Sequence, residues 1–211
     1  MPKNIELEFI GDITEERHKE LKEYFEKNAE FKEKKIRLSL RYFRGNKIPK
    51  DINEIKNEEL DLRLRITNKK PELAIKYGLF TGIHARKEIL IPIDPKYLED
   101  YVESLSLLGW STVVVYATET YVYKFKDVEL SLIYIQDYGY NFEAEILTQE
   151  ENIKEDKTKI ISLLKELKLK PLDENGLKQQ CNKLNNKKEL QFDFRKQTYS
   201  ELKNRFKEFF L

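Results

Sequence analysis

The chain has very little of the residues that mark several common classes of protein. Its 211 residues include one cysteine, Cys181, so an intramolecular disulfide and a cysteine-based zinc site are both excluded. No run of 18 apolar residues is present, and the N-terminus lacks the apolar core of a signal peptide. We therefore expect a cytoplasmic protein without a membrane partner. The seven glycines are scattered and form no phosphate-binding loop of the Walker type.

Histidine and tryptophan are also scarce, which limits the catalytic chemistry that the side chains can offer. The two histidines are His18 and His84, and no Ser–His–Asp set is visible. His18 falls among charged residues of a predicted helix, and we interpret it as solvent-facing. Cys181 lies in a polar segment without a nearby histidine and is interpreted as incidental, whereas Trp110 is expected in the core.

Charge is abundant but balanced. The chain has 39 Lys and Arg residues against 38 Asp and Glu residues, a formal net charge of +1. This balance gives no general attraction to nucleic acid, which we do not expect as a partner. Hydrophobic residues make up 40% of the chain, and 12 Tyr and 12 Phe residues supply large rings for a core. The length suits one domain or one domain with an appendage, and we expect a monomer or homodimer.

Alternation of apolar and polar residues predicts most of the strands. In the clearest case, residues 60–67, Leu62 and Leu64 lie on one face and Arg63 and Arg65 on the other. Short turn signals such as Asn68-Lys69-Lys70-Pro71 separate many of the strands, which favours an antiparallel sheet. The predicted strands are 5–9, 35–42, 60–67, 72–77, 86–93, 112–116, 120–125, 128–135 and 142–147.

Capping signals and helical spacing predict the helices. Thr14 is suited to cap a helix with Leu21, Tyr24 and Phe25 on its apolar side, and Asp94-Pro95 begins a helix that Gly109 ends. Further helices are predicted around Ile160–Leu167 and Tyr199–Phe209, and residues 168–196 are poorly patterned. The fold class predicted is α+β, an eight-stranded antiparallel β-barrel with flanking helices, formed by residues 1–150 and followed by a helical extension at 151–211.

Charges of one sign occupy alternate positions of several strands: Glu6 and Glu8, Arg63 and Arg65, and Glu143 and Glu145. One interpretation is that the sheet buries one face and solvates the other, so that each pair simply faces water. The other is that the pairs line an enclosed site, because solvent faces usually mix charged with neutral residues. Acidic strands at the ends of the β region and basic strands between them are suited to a metal-bound polyphosphate. Arginine forks bind phosphate oxygens, and paired carboxylates bind a hard divalent cation.

These stretches, in this order, resemble the CYTH superfamily, the triphosphate tunnel metalloenzymes that include thiamine and inorganic triphosphatases and class IV adenylyl cyclases. The resemblance covers about residues 4 to 148 and weakly includes Thr198-Tyr199-Ser200-Glu201-Leu202. It is carried by Glu6-x-Glu8, Leu62-Arg63-Leu64-Arg65, Glu72-Leu-Ala-Ile-Lys76, Arg86-Lys-Glu88-Ile and Gly139-Tyr140-Asn-Phe142-Glu143-Ala-Glu145.

The resemblance implies a metal-dependent triphosphate hydrolase that acts on an inorganic, nucleotide or thiamine triphosphate. An adenylyl cyclase of the same fold is the first alternative. The cofactor implied is Mg²⁺ or Mn²⁺, and the partner is a small molecule that contains a triphosphate. The metal ligands implied are Glu6, Glu8, Glu143 and Glu145; the catalytic residues are Glu6, Glu8, Arg63, Arg65 and Lys76; the substrate-binding residues are Arg37, Arg41, Arg63, Arg65, Lys76, Arg86 and Glu88.

Several positions depart from the family pattern. Ile10 stands where the first-strand signature has lysine, and Leu90 and Ile133 stand where acidic residues are usual. The run that contains Tyr116 and Thr118 lacks the usual Lys and Arg, which Arg37, Arg41, Lys124 or Lys126 could replace. These departures support a second alternative, a tunnel protein without catalysis that binds a nucleotide, polyphosphate or RNA end.

Overall fold

The computed structural model describes residues 5–45, 48–49, 60–77 and 84–210, with the backbone alone for residues 84–87. Nine strands and five helices lie in these ranges, joined in places by short 3₁₀ turns. The strands are β1 (Ile5–Ile13), β2 (Glu30–Phe43), β3 (Leu60–Thr67), β4 (Lys70–Tyr77), β5 (His84–Pro92), β6 (Thr112–Phe125), β7 (Val128–Ile135), β8 (Gly139–Thr148) and β9 (Gln191–Asp193). The helices are α1 (Glu15–Asn28), α2 (Leu98–Leu107), α3 (Ile153–Glu166), α4 (Glu174–Asn185) and α5 (Tyr199–Arg205). Within the described ranges, no helix combines the length and the apolarity that crossing a membrane requires.

The strands form one sheet in the order β2-β3-β4-β5-β1-β8-β7-β6-β9, and β2 also pairs with β6. Pairings with a defined register are antiparallel, for example β1 with β8 and β3 with β4. The extra pairing joins the two ends of the eight-strand order from β2 to β6. The predicted α+β fold with an antiparallel sheet is confirmed.

The chain forms two compact units, which do not follow the order of the sequence. Unit 1 comprises residues 1–35, 78–88 and 118–177, and unit 2 comprises residues 36–77, 89–117 and 178–211. The strands β2, β5 and β6 each contribute residues to both units. The predicted division into residues 1–150 and 151–211 stays a prediction.

In unit 1 the core lies between helices α1 and α3 and one face of the sheet. Leu7 of β1 and Phe142 of β8 are fully buried there, together with Phe25 of α1 and Ile160 of α3. Helix α1 begins as predicted, because the Thr14 hydroxyl oxygen accepts a hydrogen bond from the backbone N–H of Arg17 at 3.1 Å. The capping residue therefore fixes where the first helix starts.

The buried side of α1 differs from the prediction at two positions. His18 is buried beside Leu21 and Phe25, whereas Tyr24 is 41% exposed. The interpretation of His18 as solvent-facing is therefore wrong, and so is the assignment of Tyr24 to the buried side. The spacing of 3.6 residues per turn explains both, since residues 18, 21 and 25 share one side and residue 24 lies at its edge.

In unit 2 the core is formed by the apolar face of β2 and β3 with helix α2 and the C-terminal residues. Leu38, Leu40 and Leu64 are buried against one another, and Val102 and Phe206 belong to the same cluster. Helix α5 begins with a capping box in which Thr198 and Glu201 bond each other's backbone N–H groups. The aromatic residues that follow α5 are buried, so this end of the chain is part of the core of unit 2: Phe206, Phe209 and Phe210.

One prediction of local structure is wrong. Residues 112–116 and 120–125 were expected to be separate strands, but β6 runs without interruption from Thr112 to Phe125. The segment 168–196, which shows little pattern, contains helix α4 and the short strand β9. Strand β9 pairs with the beginning of β6, where Val113 lies opposite Phe192.

Candidate functional site

The charged faces of β1 and β3 are withdrawn from solvent. In the middle of β1, Leu7, Glu8 and Phe9 are all buried, and Glu8 is 6% exposed. In β3 the same holds for Leu64 and Arg65, with Arg65 also 6% exposed. A strand with one wet face would alternate between buried and exposed residues. Neither strand does, so the interpretation of these charges as plain solvent-facing residues is wrong here.

Five of the six basic residues predicted to bind phosphate come together in unit 2, on the face of β2, β3 and β4 opposite the apolar core; the sixth, Arg86, belongs to unit 1. The register places Arg41 of β2 beside Arg63 of β3, and Arg65 of β3 beside Glu72 of β4. Side chains that are directly opposite in an antiparallel pair project from the same face. We name this group the arginine cluster; it consists of Arg37, Arg41, Arg63, Arg65 and Lys76 with the carboxylates of Asp61 and Glu72.

Asp61 is the central anion of the arginine cluster. Its Oδ1 accepts from Arg63 Nε at 3.0 Å and its Oδ2 from Arg63 NH2 at 2.6 Å, a two-point fork. Arg41 Nε lies 3.5 Å from the same Oδ1. Lys76 is directly opposite Asp61 in the register and is buried. One carboxylate thus contacts two guanidinium groups beside a buried ammonium.

The second carboxylate of the cluster lies between two other arginines. Glu72 Oε1 is 4.0 Å from Arg37 NH2 and 4.0 Å from Arg65 NH1. Arg37 also donates from Nε to the hydroxyl of Thr67 at 2.7 Å. Among the described residues, five basic side chains therefore share this face with these two carboxylates. Grouped guanidinium and ammonium groups are suited to binding a multiply charged anion.

The pKa of Arg41 reflects its pairing with Asp61. Burial by itself would lower the pKa of the Arg41 guanidinium, but the neighbouring Asp61 carboxylate and Cys181 outweigh burial and raise that pKa above its ordinary value. Arg41 NH1 lies 3.6 Å from Cys181 Sγ, and Arg63 NH1 donates to the hydroxyl of Tyr116 at 3.3 Å. The arginines are therefore held charged and oriented by groups from distant parts of the sequence.

The acidic residues predicted to bind metal lie in unit 1, on the face of β1 and β8 opposite the apolar core. Glu8 stands directly opposite Glu145, and Glu143 stands opposite Ile10. We name this group the carboxylate face; it consists of Glu6, Glu8, Glu143 and Glu145. Glu8 is buried and the other three are half-buried. Carboxylates in directly opposite positions repel each other, and a bound cation removes that repulsion.

The donor set of the carboxylate face fits a hard divalent cation. Opposed residues of an antiparallel pair have Cβ atoms about 4.5–5.5 Å apart, so two carboxylates at Glu8 and Glu145 are within reach of one ion. Among the described residues no group of three or more His, Cys, Asp or Glu side chains converges as a preformed metal site does. Mg²⁺ commonly uses one or two carboxylates together with substrate phosphates and water, which this arrangement permits.

The positions that depart from the family pattern are divided between the two faces. Ile10 and Ile133 place apolar side chains beside Glu143 and Asn141 in the register. Tyr116, in contrast, contributes its hydroxyl to the arginine cluster. Among the basic residues suggested as replacements for the missing charges, Arg37 and Arg41 belong to the arginine cluster. Lys124 and Lys126 form ion pairs at the surface, with Asp127 and Glu166.

Two predicted substrate-binding residues come from β5. The backbone register places Arg86 opposite Glu6, and the side chain of Arg86 lies outside the described residues. Glu88 is half-buried. Their predicted roles, like those of the other site residues, stay predictions.

Sequence reasoning missed three side chains as members of the site. Asp61 was given no role in the site, Tyr116 was noted only as a departure, and Cys181 was interpreted as incidental. For Asp61 a signal existed, because an Asp-x-Arg step on one face of a strand brings the two side chains to the same side. For Tyr116 and Cys181 no local signal existed, since β6 and α4 lie far along the chain from the arginines that they contact.

Comparison with known proteins gives a match in structure and none in sequence. No protein-family model and no curated protein sequence matches the chain. The PH1819 protein of Pyrococcus horikoshii is similar, with a TM-score of 0.65 and 22% identity over 85% of this chain and 99% of that chain. A conserved hypothetical protein of Pyrococcus furiosus has a TM-score of 0.62 and 23% identity, over 79% of this chain and 91% of that one.

A third similar structure carries a description of activity. HpAC1 from Hippeastrum, an adenylyl cyclase candidate described as having a dominant triphosphatase activity, has a TM-score of 0.55. It is 18% identical over 80% of this chain and 89% of that chain. At these identities the likeness concerns the fold alone. The chain therefore has the α+β fold of these proteins.

Proposed function

We propose that this protein is a divergent CYTH-superfamily member that hydrolyses a triphosphate compound with the help of Mg²⁺ or Mn²⁺. The observation that carries the proposal is the grouping of basic side chains on one face of β2, β3 and β4, where Arg65 and Lys76 are each 6% exposed. A polyphosphate supplies several negative charges on oxygens whose geometry matches guanidinium forks. The description of HpAC1, which shares the fold, supports the same class of substrate.

The arginine cluster binds and orients the phosphates in this proposal. Arg63, Arg65 and Lys76 donate hydrogen bonds to phosphate oxygens and stabilise the charge that develops on them as the terminal phosphoryl group is transferred to water. Arg37 and Arg41 extend the cationic surface along the substrate. By the family resemblance, Arg86 and Glu88 complete the binding residues.

The carboxylate face holds the divalent cation in this proposal. Glu8 and Glu145 are its principal ligands because they stand opposite each other, and Glu6 and Glu143 extend the set along the same two strands. When bound, the ion neutralises phosphate charge and makes an attacking water more acidic.

The experiment that tests the proposal measures phosphate release from tripolyphosphate, ATP and thiamine triphosphate, each with Mg²⁺ or Mn²⁺. We expect release from at least one of them, lost on metal chelation and reduced at least about 100-fold by Glu8→Gln and by Arg63→Gln. Two control variants carry the same changes outside the site. Glu155→Gln replaces an exposed carboxylate that pairs with Lys159, and Arg195→Gln replaces an arginine that forks a carboxylate two residues earlier, as Arg63 does.

The controls should retain the wild-type rate. Phosphate release that is equally fast in Glu8→Gln, or that does not require a divalent cation, would contradict the proposal. Comparable losses in the controls would show that the variants act through the fold instead of the site.

A cyclase activity is the first alternative, favoured by the fold shared with adenylate cyclase candidates such as the Vibrio parahaemolyticus protein. The same charged faces serve this reaction, with a ribose hydroxyl as the attacking group and pyrophosphate as the leaving group. Product analysis with ATP separates the two activities, since a cyclase releases pyrophosphate and a cyclic nucleotide, and a triphosphatase releases orthophosphate.

Binding without catalysis is the second alternative. It is favoured by Ile10 and Ile133 on the carboxylate face, where apolar side chains adjoin Glu143 and Asn141. Saturable binding of tripolyphosphate with no release of phosphate from any of the three compounds would establish this alternative.

A further inference from the structure

The carboxylate of Asp61 lies where a phosphate would bind two arginines of the arginine cluster. It receives both Nε and NH2 of Arg63, at 3.0 and 2.6 Å, and Arg41 Nε approaches the same oxygen at 3.5 Å. Its side chain is 6% exposed, so this contact is made away from bulk water. The two oxygens of Asp61 thereby take the two-point fork that phosphate oxygens take on an arginine.

We propose that Asp61 is an internal competitor of the substrate phosphate and sets the charge that a ligand needs in order to bind. The inference rests on the proposed function and concerns the selectivity of the same site. A phosphate that forks Arg63 displaces the Asp61 carboxylate from it. Ligands with several negative charges compensate for this displacement, because they also engage the other cations of the cluster. Small anions such as sulfate do not, so Asp61 favours a polyphosphate over them.

The register shows why the position of Asp61 is suited to this role. Arg41 and Arg63 stand directly opposite each other, and like charges in that position repel. Asp61 relieves this repulsion when no ligand is bound, so the cluster stays assembled without a phosphate. The attraction of Asp61 for the two arginines, which stabilises the cluster without a ligand, is lost when a phosphate binds Arg63. Asp61 therefore lowers the affinity of the cluster for anions and raises its selectivity for polyphosphates over small anions.

A second carboxylate–arginine pair in the chain provides a matched comparison. Asp193 accepts from Arg195 Nε at 2.8 Å and from Arg195 NH2 at 2.7 Å, with the same spacing of two residues. The side chain of Arg195 is 38% exposed, and the pair lies outside the arginine cluster. Asp193→Asn thus removes the same charge from the same kind of fork where no phosphate is expected to bind.

The test compares the binding of tripolyphosphate and of sulfate to the wild type, Asp61→Asn and Asp193→Asn by titration calorimetry, with chelator present. Loss of a negative charge this close to the bound anion should tighten tripolyphosphate binding to Asp61→Asn about tenfold or more. Sulfate should bind Asp61→Asn measurably and the wild type much more weakly. Asp193→Asn should match the wild type for both anions.

The outcomes separate this inference from the proposed function. If the wild type binds tripolyphosphate and Asp61→Asn binds it equally or more weakly, Asp61 is only a scaffold for Arg63 and the inference fails while the anion site stands. If neither protein binds tripolyphosphate, the anion site fails and the inference fails with it. If Asp61→Asn does not fold, Asp61→Ser, which also lacks the charge, undergoes the same titrations with the same outcomes deciding.

Discussion

Acidification should weaken the fold of this protein through His18, one of its two histidines. His18 is 7% exposed, and its Nε2 has no hydrogen-bond partner among the described residues. Its ring packs on Tyr140, at a centroid distance of 5.0 Å, and edge-on against Tyr121 at 6.4 Å. Protonation would place a charge in these surroundings, so the neutral form is favoured in the folded state.

The sign of the effect follows from the groups around His18. Burial lowers the pKa of His18 from its ordinary value of 6.5, and the ammonium of Lys22 lowers it further. The carbonyl of Leu132 and the carboxylates of Glu119 and Glu15 oppose this shift without reversing it. Between the lowered pKa and 6.5 the unfolded chain binds the proton that the folded chain excludes. The free energy of unfolding therefore falls as the pH falls below 6.5.

One excluded proton changes the free energy of unfolding by up to about 1.4 kcal/mol per pH unit. From pH 6.5 to 5.5 this corresponds to a fall in Tm of up to about 3–6 °C for a protein of this size. The assay is urea unfolding at several pH values for the wild type, His18→Gln and His84→Gln. We expect His18→Gln to flatten the pH dependence in this range and His84→Gln to retain it. A wild-type stability that does not fall between pH 6.5 and 5.5, or an equal slope in His18→Gln, would refute the reasoning.

Two further outcomes are expected for packing and for ligand binding. A Cβ added at Gly11 would lie 2.2 Å from the ring of Phe142 and 2.7 Å from the carbonyl oxygen of Lys170. Gly11→Ala should therefore lower the free energy of unfolding, measured by thermal or urea unfolding, by about 1–3 kcal/mol. Gly176→Ala, whose Cβ meets a flexible leucine side chain, should change the free energy of unfolding much less. Tripolyphosphate at about 100 times its Kd should raise the free energy of unfolding of the wild type by about 2.7 kcal/mol, and this gain should shrink at high salt. Arg63→Gln should show little of the gain. An equal gain in Arg63→Gln would place the binding elsewhere.

Much of the fold could be predicted from the sequence because local signals carry it. Alternation at 60–67 gave β3 with its two faces, and the caps at Thr14 and Asp94 gave the beginnings of two helical segments. Helix α4 could not be predicted in this way. Its inner side carries Leu177, half-buried Cys181 and half-buried Leu184 together with buried Asn185, so its apolar pattern is short and interrupted by polar residues.

The candidate site was predictable only in part, for a related reason. The charges of one strand reveal a shared face, as Arg63 and Arg65 do. The partners of those charges depend on strand register and on helices far along the chain. Arg41 is placed beside Arg63 by the pairing of β2 with β3, and Tyr116 reaches Arg63 from β6. No periodicity within a single strand contains that information.

The central claim is that the protein hydrolyses a triphosphate in a reaction that needs both Glu8 and Arg63, and a double-mutant cycle tests it most directly. The rate of metal-dependent phosphate release is measured for the wild type, Glu8→Gln, Arg63→Gln and the double variant. Residues that act together on one transition state show strongly non-additive losses, so the double variant should be little slower than the slower single variant. The account would be contradicted if the fold-loss of rate in the double variant equals the product of the two single fold-losses, or if a single variant retains the wild-type rate.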